Sequence, residues 1–316
     1  MTVETTEEAL AILDLTNEEL PELLNVVYSI RKKYKGKLVG VQLLTNARSG
    51  NCSENCAYCA QSNKSEADIK KYKLVSSEKL LNDSNIAFEK KLARHCIGLS
   101  GIRFSNTEID EFANEIKNLK NKTHTAICCS IDLLTPEQAK KLKDAGVDRI
   151  NHNLNTSESF YQNICTTHSY KDRVDNIKML QGIGFEICCG GIIGLGESKN
   201  DIVEMLLSIR EINPQAVPIN FLIPIKGTQL ESADTTHLTA EYCLKILCLT
   251  RLLLPKSDIR CAAGREIYLK GKEKEMFCAV DSIFASGYLT TDGSGVDETI
   301  KVIKDSGFDY YIESAT

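Results

Sequence analysis

Strict alternation between β-rich runs and helix-patterned segments limits this chain more than any other feature does. Runs at 38–44, 95–99, 123–129, 147–154, 185–193, 216–223, 258–262 and 282–285 carry strand composition, and the intervening stretches carry helical periodicity. Such alternation builds a parallel sheet wrapped by helices, and eight strands suffice to close it into a barrel. Helix ends are legible: Thr135, Pro136 and Gln138 form a capping box that Gly146 terminates, and Thr239 opens a helix that Pro255 closes. The expected fold class is therefore α/β, a (β/α)8 TIM-type barrel with an N-terminal helical extension. Expected boundaries are 1–36 for that extension, 37–290 for the barrel and 291–316 for a C-terminal extension. Chemistry in such folds sits at the C-terminal ends of the strands.

A net charge of −5 gives no basic footprint for nucleic acid or an anionic membrane. The acidic, helix-patterned start does not read as a secretory signal, and no apolar run approaches membrane-spanning length. A cytoplasmic location is expected, where thiols stay reduced. The 13 cysteines then point to metal or cluster ligands rather than a disulfide framework.

After the first strand comes Cys52-Ser53-Glu54-Asn55-Cys56-Ala57-Tyr58-Cys59, a Cys-x3-Cys-x2-Cys run in a polar loop. Three thiolates this close suit three irons of a cubane and leave the fourth iron open. An open iron can chelate the amino and carboxylate groups of S-adenosylmethionine and set its sulfonium beside an electron donor. Structural zinc is the alternative, but it takes four protein ligands, and no fourth lies nearby in the sequence. Cys96, Cys128, Cys188 and Arg260 fall in four separate expected strands, which a barrel would bring to one lumen. Buried strand cysteines acting as small apolar side chains are the plainer reading. Asn151, Asn153 and Asn155 have period two, which sets three amides on one strand face. An amide offers donor and acceptor together, as a cyclic urea requires.

The cysteine run, with Tyr58 before its last cysteine, resembles the radical S-adenosylmethionine superfamily. Residues 51–62, 151–154, 217–220 and 263–266, taken in order, resemble the biotin synthase family in particular. That resemblance implies a [4Fe–4S] cluster on Cys52, Cys56 and Cys59, S-adenosylmethionine as cofactor and dethiobiotin as substrate. It implies an auxiliary [2Fe–2S] cluster, the sulfur donor, on Cys96, Cys128 and Cys188 with Arg260 as fourth ligand. Dethiobiotin would meet Asn151, Asn153 and Asn220. S-adenosylmethionine would meet Tyr58, Asn153, Asn155, Arg173 and the backbone at Gly190 and Gly191. A homodimer and an electron donor such as flavodoxin or ferredoxin are implied as well. Where the family commonly has Asp, this chain has Asn155, which loses a charge-assisted bond to ribose.

Cys129, Cys189 and Cys261 directly follow Cys128, Cys188 and Arg260. In regular strands this second set faces the helices, but a bulge could turn some inward. Cys261 could then replace Arg260 and favour a larger [4Fe–4S]-type cluster with an extra sulfide. His152, Cys165, Cys243, Cys248 and Cys278 read as structural. The rivals are another radical barrel enzyme, of the hydrogenase-maturation or methylornithine type, and an iron–sulfur carrier or sensor.

Overall fold

The computed structural model describes residues 3–285, 289 and 294–311. Its strands are β1 (Leu38–Arg48), β2 (Arg94–Ile102), β3 (Ile127–Asp132), β4 (Arg149–Asn151), β5 (Glu186–Cys188), β6 (Gly191–Ile193), β7 (Ala216–Phe221), β8 (Asp258–Cys261), β9 (Ser282–Ala285) and β10 (Asp309–Tyr311). They hydrogen-bond in parallel in the order β1-β2-β3-β4-β5-β7-β8-β9, and β9 returns to β1 to close the barrel. β6 extends the line of β5 and pairs with β7, while β10 adds to the start of β1.

Two helices precede the barrel, α1 (Thr6–Asp14) and α2 (Leu20–Lys35). The crossovers are α3 (Ser77–Glu89), α4 (Asn106–Lys122), α5 (Pro136–Ala145), α6 (Tyr170–Ile183), α7 (Lys199–Ile212) and α8 (Ala240–Leu253). All six open on a hydroxyl cap: Ser76, Ser105, Thr135, Ser169, Ser198 and Thr239 each accept a backbone N–H from the first turn. The single turns α9 (Arg265–Tyr268) and α10 (Glu273–Met276) and the helix α11 (Val296–Asp305) follow. The expected boundary at 290/291 lies outside the described residues. Among those described, no helix is long and apolar enough to cross a membrane.

The strands separate two environments. Ile97, Cys129, Ile150, Cys189, Val217 and Cys261 lie in the apolar layer between strands and helices. Their neighbours one residue away turn toward the lumen, as the period of two dictates. Two expected strands are interrupted. The run 185–193 breaks at Cys189-Gly190, where a Cβ on Gly190 would lie 1.8 Å from the Pro218 carbonyl oxygen. The run 147–154 stops at Asn151, because Asn155 takes a left-handed φ of 73° while its backbone bonds Gly190 and Ile192. The period-two reading of the three asparagines therefore fails beyond Asn151, although another geometry brings all three to one cavity.

Candidate active site in the barrel mouth

A cavity of about 320 Å³ opens at the C-terminal ends of the strands. Its walls include Tyr58, Cys59, Cys96, Cys128, Asn151, Asn153, Asn155, Arg173, Asn220 and Arg260. Residues from the whole length of the barrel sequence thus converge there. Gly190 and Gly191 stand behind this wall: Asn155 and Ile192 line it in their place.

The loop after β1 carries Cys52, Cys56 and Cys59, all three free thiols and all half-buried. Turns fix it, with Cys59 N–H bonded to the Cys56 carbonyl and Ser62 N–H to that of Cys59. Burial, with the like charge of Cys52 adding to it, pushes the Cys59 thiol up to about 11. A soft, three-sulfur donor set on one loop fits a cluster that holds three of its irons by protein ligands. Among the described residues, a tighter trio also forms: Cys56 Sγ, Cys165 Sγ and a His168 ring nitrogen lie within 4.8 Å of one another. The sequence places no further ligand near the cysteine run and leaves Cys165 to read as structural. The fold adds a neighbour that the sequence does not place there, because Ala57 N–H bonds the Ile164 carbonyl at 2.8 Å and draws that distant segment in.

Deeper in the lumen, register places Cys96 directly beside Cys128. Cys188 Sγ lies 3.5 Å from Arg260 Nη1 and 3.2 Å from Asn151 Nδ2. All four groups are buried, and burial raises the pKa of Cys188 against the pull of Arg260. Arg260 is held by Asp258 at 3.1 Å and Ser282 at 3.1 Å, with Phe284 under its guanidinium at 5.1 Å. Cys96 donates to Gln42 Oε1 at 3.0 Å. The inward rotation considered for Cys129, Cys189 and Cys261 does not occur. The register shift between β2 and β3 falls at Gly98/Ile102, away from Cys128, and all three thiols pack among aliphatic side chains. Among the described residues, no fourth thiol stands with Cys96, Cys128 and Cys188, and the group beside Cys188 is the Arg260 guanidinium.

Arg173 is buried, not a surface arginine on its helix. Its guanidinium donates to the Tyr161 hydroxyl (2.6 Å), the Asn153 carbonyl (3.0 Å), Asp132 Oδ2 (3.2 Å) and His168 Nε2 (3.0 Å). Asp132 also meets His152 Nδ1 at 2.8 Å. Burial alone would raise the Asp132 pKa, but Arg173 and His152 hold it well below the ordinary carboxylate range. Neither Asp132 nor His168 stands out in the sequence. Asp132 had one available signal, its place as the last residue of β3, at the functional end of a barrel. The amides are fixed as well: Asn153 Oδ1 accepts Gly190 N–H, and Asn220 bonds the Gly191 carbonyl and Ala263 N–H.

A closed parallel barrel with a three-cysteine loop at its mouth is the architecture of a radical S-adenosylmethionine protein, and the "Radical SAM superfamily" model matches residues 47–209. A second model, "Biotin and Thiamin Synthesis associated domain", matches residues 218–309. Biotin synthase from Geobacillus kaustophilus is 43% identical over 305 residues, covering 96% of this chain and 91% of that protein. The Bacillus subtilis (strain 168) biotin synthase is 41% identical over 305 residues, covering 96% and 90%. The chain belongs to the biotin synthase family. In fold it is similar to methylornithine synthase (PylB), with TM-score 0.86, 17% identity and coverage of 97% and 94%. It is also similar to the FeFe-hydrogenase maturase HydG from Carboxydothermus hydrogenoformans, with TM-score 0.84, 16% identity and coverage of 97% and 76%. At those identities the two structures speak for the barrel alone.

Proposed function

We infer that this enzyme inserts sulfur into dethiobiotin to form biotin, with S-adenosylmethionine as the radical source. One observation carries the reading beyond the family: a single cavity is lined by Tyr58 and Cys59 of the cluster loop at its mouth and by Cys96, Cys128 and Arg260 deeper in the lumen, with Cys188 packed against Arg260. When bound, a [4Fe–4S] cluster on Cys52, Cys56 and Cys59 supplies the electron that splits S-adenosylmethionine, and an auxiliary cluster supplies the sulfide.

The chain's own residues do the positioning. Arg173, anchored on four sides, presents a fixed cation to the carboxylate of S-adenosylmethionine. Asn151, Asn153 and Asn220 are amides suited to a cyclic urea, and each spends only one or two of its four hydrogen-bonding sites on holding its own orientation. Asn155 serves the ribose as a neutral group. Leu44, Leu222, Ile223 and Phe284 keep the remaining wall apolar, which excludes water from a reactive carbon centre. For the auxiliary site, three lumen thiols with Arg260 support a [2Fe–2S] cluster over a four-thiolate one. Mössbauer spectra with iron and sulfide counts test that choice, and a [4Fe–4S]-type auxiliary signal would reverse it.

The decisive assay is anaerobic: protein, dethiobiotin, S-adenosylmethionine and a strong reductant, with products read by mass spectrometry. Biotin and 5′-deoxyadenosine are expected together. No sulfur-containing product from protein with intact clusters would overturn the substrate assignment. Absence of 5′-deoxyadenosine would favour a carrier or sensor. Replacing Cys128 by Ala should abolish biotin formation and spare 5′-deoxyadenosine release, since Cys128 stands away from the mouth of the cavity.

A further inference from the structure

Behind the cluster loop lies a thiol that sulfur insertion does not use. Cys165 follows a single 3-10 turn (Tyr161–Asn163). Its segment is stitched to the cluster loop by the Ala57–Ile164 backbone bond, by Asn55 Nδ2 on Thr166 Oγ1 at 2.6 Å, and by Asn55 N–H on Thr167 Oγ1 at 3.2 Å. Cys165 Sγ therefore stands 3.7 Å from Cys56 Sγ, and 3.3 Å from His168 Nδ1. Buried cysteines ordinarily sit among apolar groups. This sulfur instead meets His168, Asn55 Oδ1 at 3.4 Å and Thr167 Oγ1 at 3.5 Å.

Access is the second observation. Cys165 forms part of the wall of a separate cavity of about 270 Å³, bordered by the exposed residues Gln162, Thr167 and Lys171. The barrel cavity, by contrast, reaches the loop at Tyr58 and Cys59. Cys56 thus stands next to a buried thiol that borders this outer cavity, apart from the barrel cavity.

We propose that Cys165 is a peroxide-reactive thiol that captures the cluster ligand Cys56 as a disulfide when the cluster is lost to oxidation. The inference rests on Cys56 being a ligand of the cluster that splits S-adenosylmethionine. Hydrogen peroxide entering the outer cavity transfers one oxygen to Cys165: the S–H becomes S–OH, the O–O bond breaks and one water leaves. Cys56, released from iron as a thiol, attacks the sulfenic sulfur. The S–S bond forms, the S–O bond breaks, and the hydroxyl leaves with the Cys56 proton as a second water. Two thiols have then lost two electrons and one peroxide has gained them. The two sulfurs must close from 3.7 Å to a bond of about 2.05 Å, and the Ala57–Ile164 backbone bond already holds their segments side by side. The disulfide holds Cys56 short of the irreversible sulfinic and sulfonic states, and a dithiol reductant returns both thiols for cluster rebuilding.

The test starts from anaerobically purified holoenzyme whose iron, sulfide and 5′-deoxyadenosine formation are measured first. Failure at that stage would count against the cluster assignment itself. The protein is then treated with hydrogen peroxide, alkylated and mapped by peptide mass spectrometry. A Cys56–Cys165 linked peptide is expected as the main cross-link, cleaved by dithiothreitol, with cluster iron restored on reconstitution. Cys165→Ser and Cys165→Ala should begin with the wild-type iron content. After peroxide they should carry Cys56 as sulfinic or sulfonic acid and recover severalfold less iron. Cys56 joined to Cys52 or Cys59, or equal recovery by the variants, would overturn the proposal. So would variants that lack iron before treatment, since Cys165 would then be needed for the cluster itself.

Discussion

Asp132 shows how much of this site depends on a residue that faces another residue. It neutralises Arg173 and braces His152, so Asp132→Asn should loosen the guanidinium proposed to meet S-adenosylmethionine. Loss of a hydrogen bond to a charged group is worth about 1.5–3 kcal/mol, or roughly 10- to 150-fold in affinity. The expected result is a KM for S-adenosylmethionine raised by that order at unchanged cluster content, and an unchanged KM would dismiss the positioning role. His95 supplies a second test at this scale. Its ring is buried between Thr45 Oγ1 at 2.8 Å and Ser84 Oγ at 2.9 Å. Burial lowers its pKa to about 4 from an ordinary 6.5, although Asp83 pulls it upward. The unfolded chain binds this proton first, so the contribution of His95 is complete above pH 6.5 and falls away as pH drops toward 4. Across that window the loss reaches about 3 kcal/mol. In urea unfolding, the stability gap between wild type and His95→Gln should narrow by that order from pH 7 to pH 4, and a gap independent of pH would exclude the effect.

Among the elements, β5 and β6 form one run in the sequence and two strands in space. Gly190 divides them, and a methyl group there would collide with the Pro218 carbonyl, which is backbone and cannot swing aside. Gly190→Ala is expected to cost at least ~3 kcal/mol, visible as a lowered melting temperature. Gly182 offers the control, because it lies in α6 with nothing within 4 Å of an added methyl group, so Gly182→Ala should stabilise by ~0.5–1 kcal/mol. Equal responses at the two glycines would refute the steric account. The same segment shows what sequence reasoning could reach. Helix starts were legible because capping is local: Thr135 and Gln138 meet three residues apart. The inward turn of Cys96, Cys128, Cys188 and Arg260 was legible because a strand alternates faces whatever its neighbours. Two features were not. Where 147–154 leaves the sheet depends on Asn155 bonding Gly190, and Cys165 meets Cys56 through a contact spanning 109 residues. No period or cap encodes such pairings.

For the molecule as a whole, the seam where β9 meets β1 decides whether the sheet is a barrel, and a buried arginine from outside the barrel guards it. Arg31 of α2 is fully buried and donates to the Val280 carbonyl at 2.9 Å, just before β9, and to the Leu38 carbonyl at 2.8 Å, at the first residue of β1. It also lies 3.4 Å from Asp281 and 5.0 Å over Phe308, just before β10. One side chain thus ties α2, both edges of the seam and the approach to β10. Asp281 is shared with Arg251, so the aspartate keeps a partner when Arg31 is lost, but the carbonyls at 280 and 38 do not regain one from that exchange. Breaking a buried ionic contact by removing one partner costs about 3–5 kcal/mol, and Arg31→Met should lie at the lower end because Arg251 remains. The loss should be localised. Hydrogen exchange in Arg31→Met should accelerate in β9, β10 and the first residues of β1 while β3 and β4, on the far side of the barrel, stay protected. Uniform acceleration around the barrel would mean that the N-terminal helices stabilise the fold by general burial, with no special part for the seam.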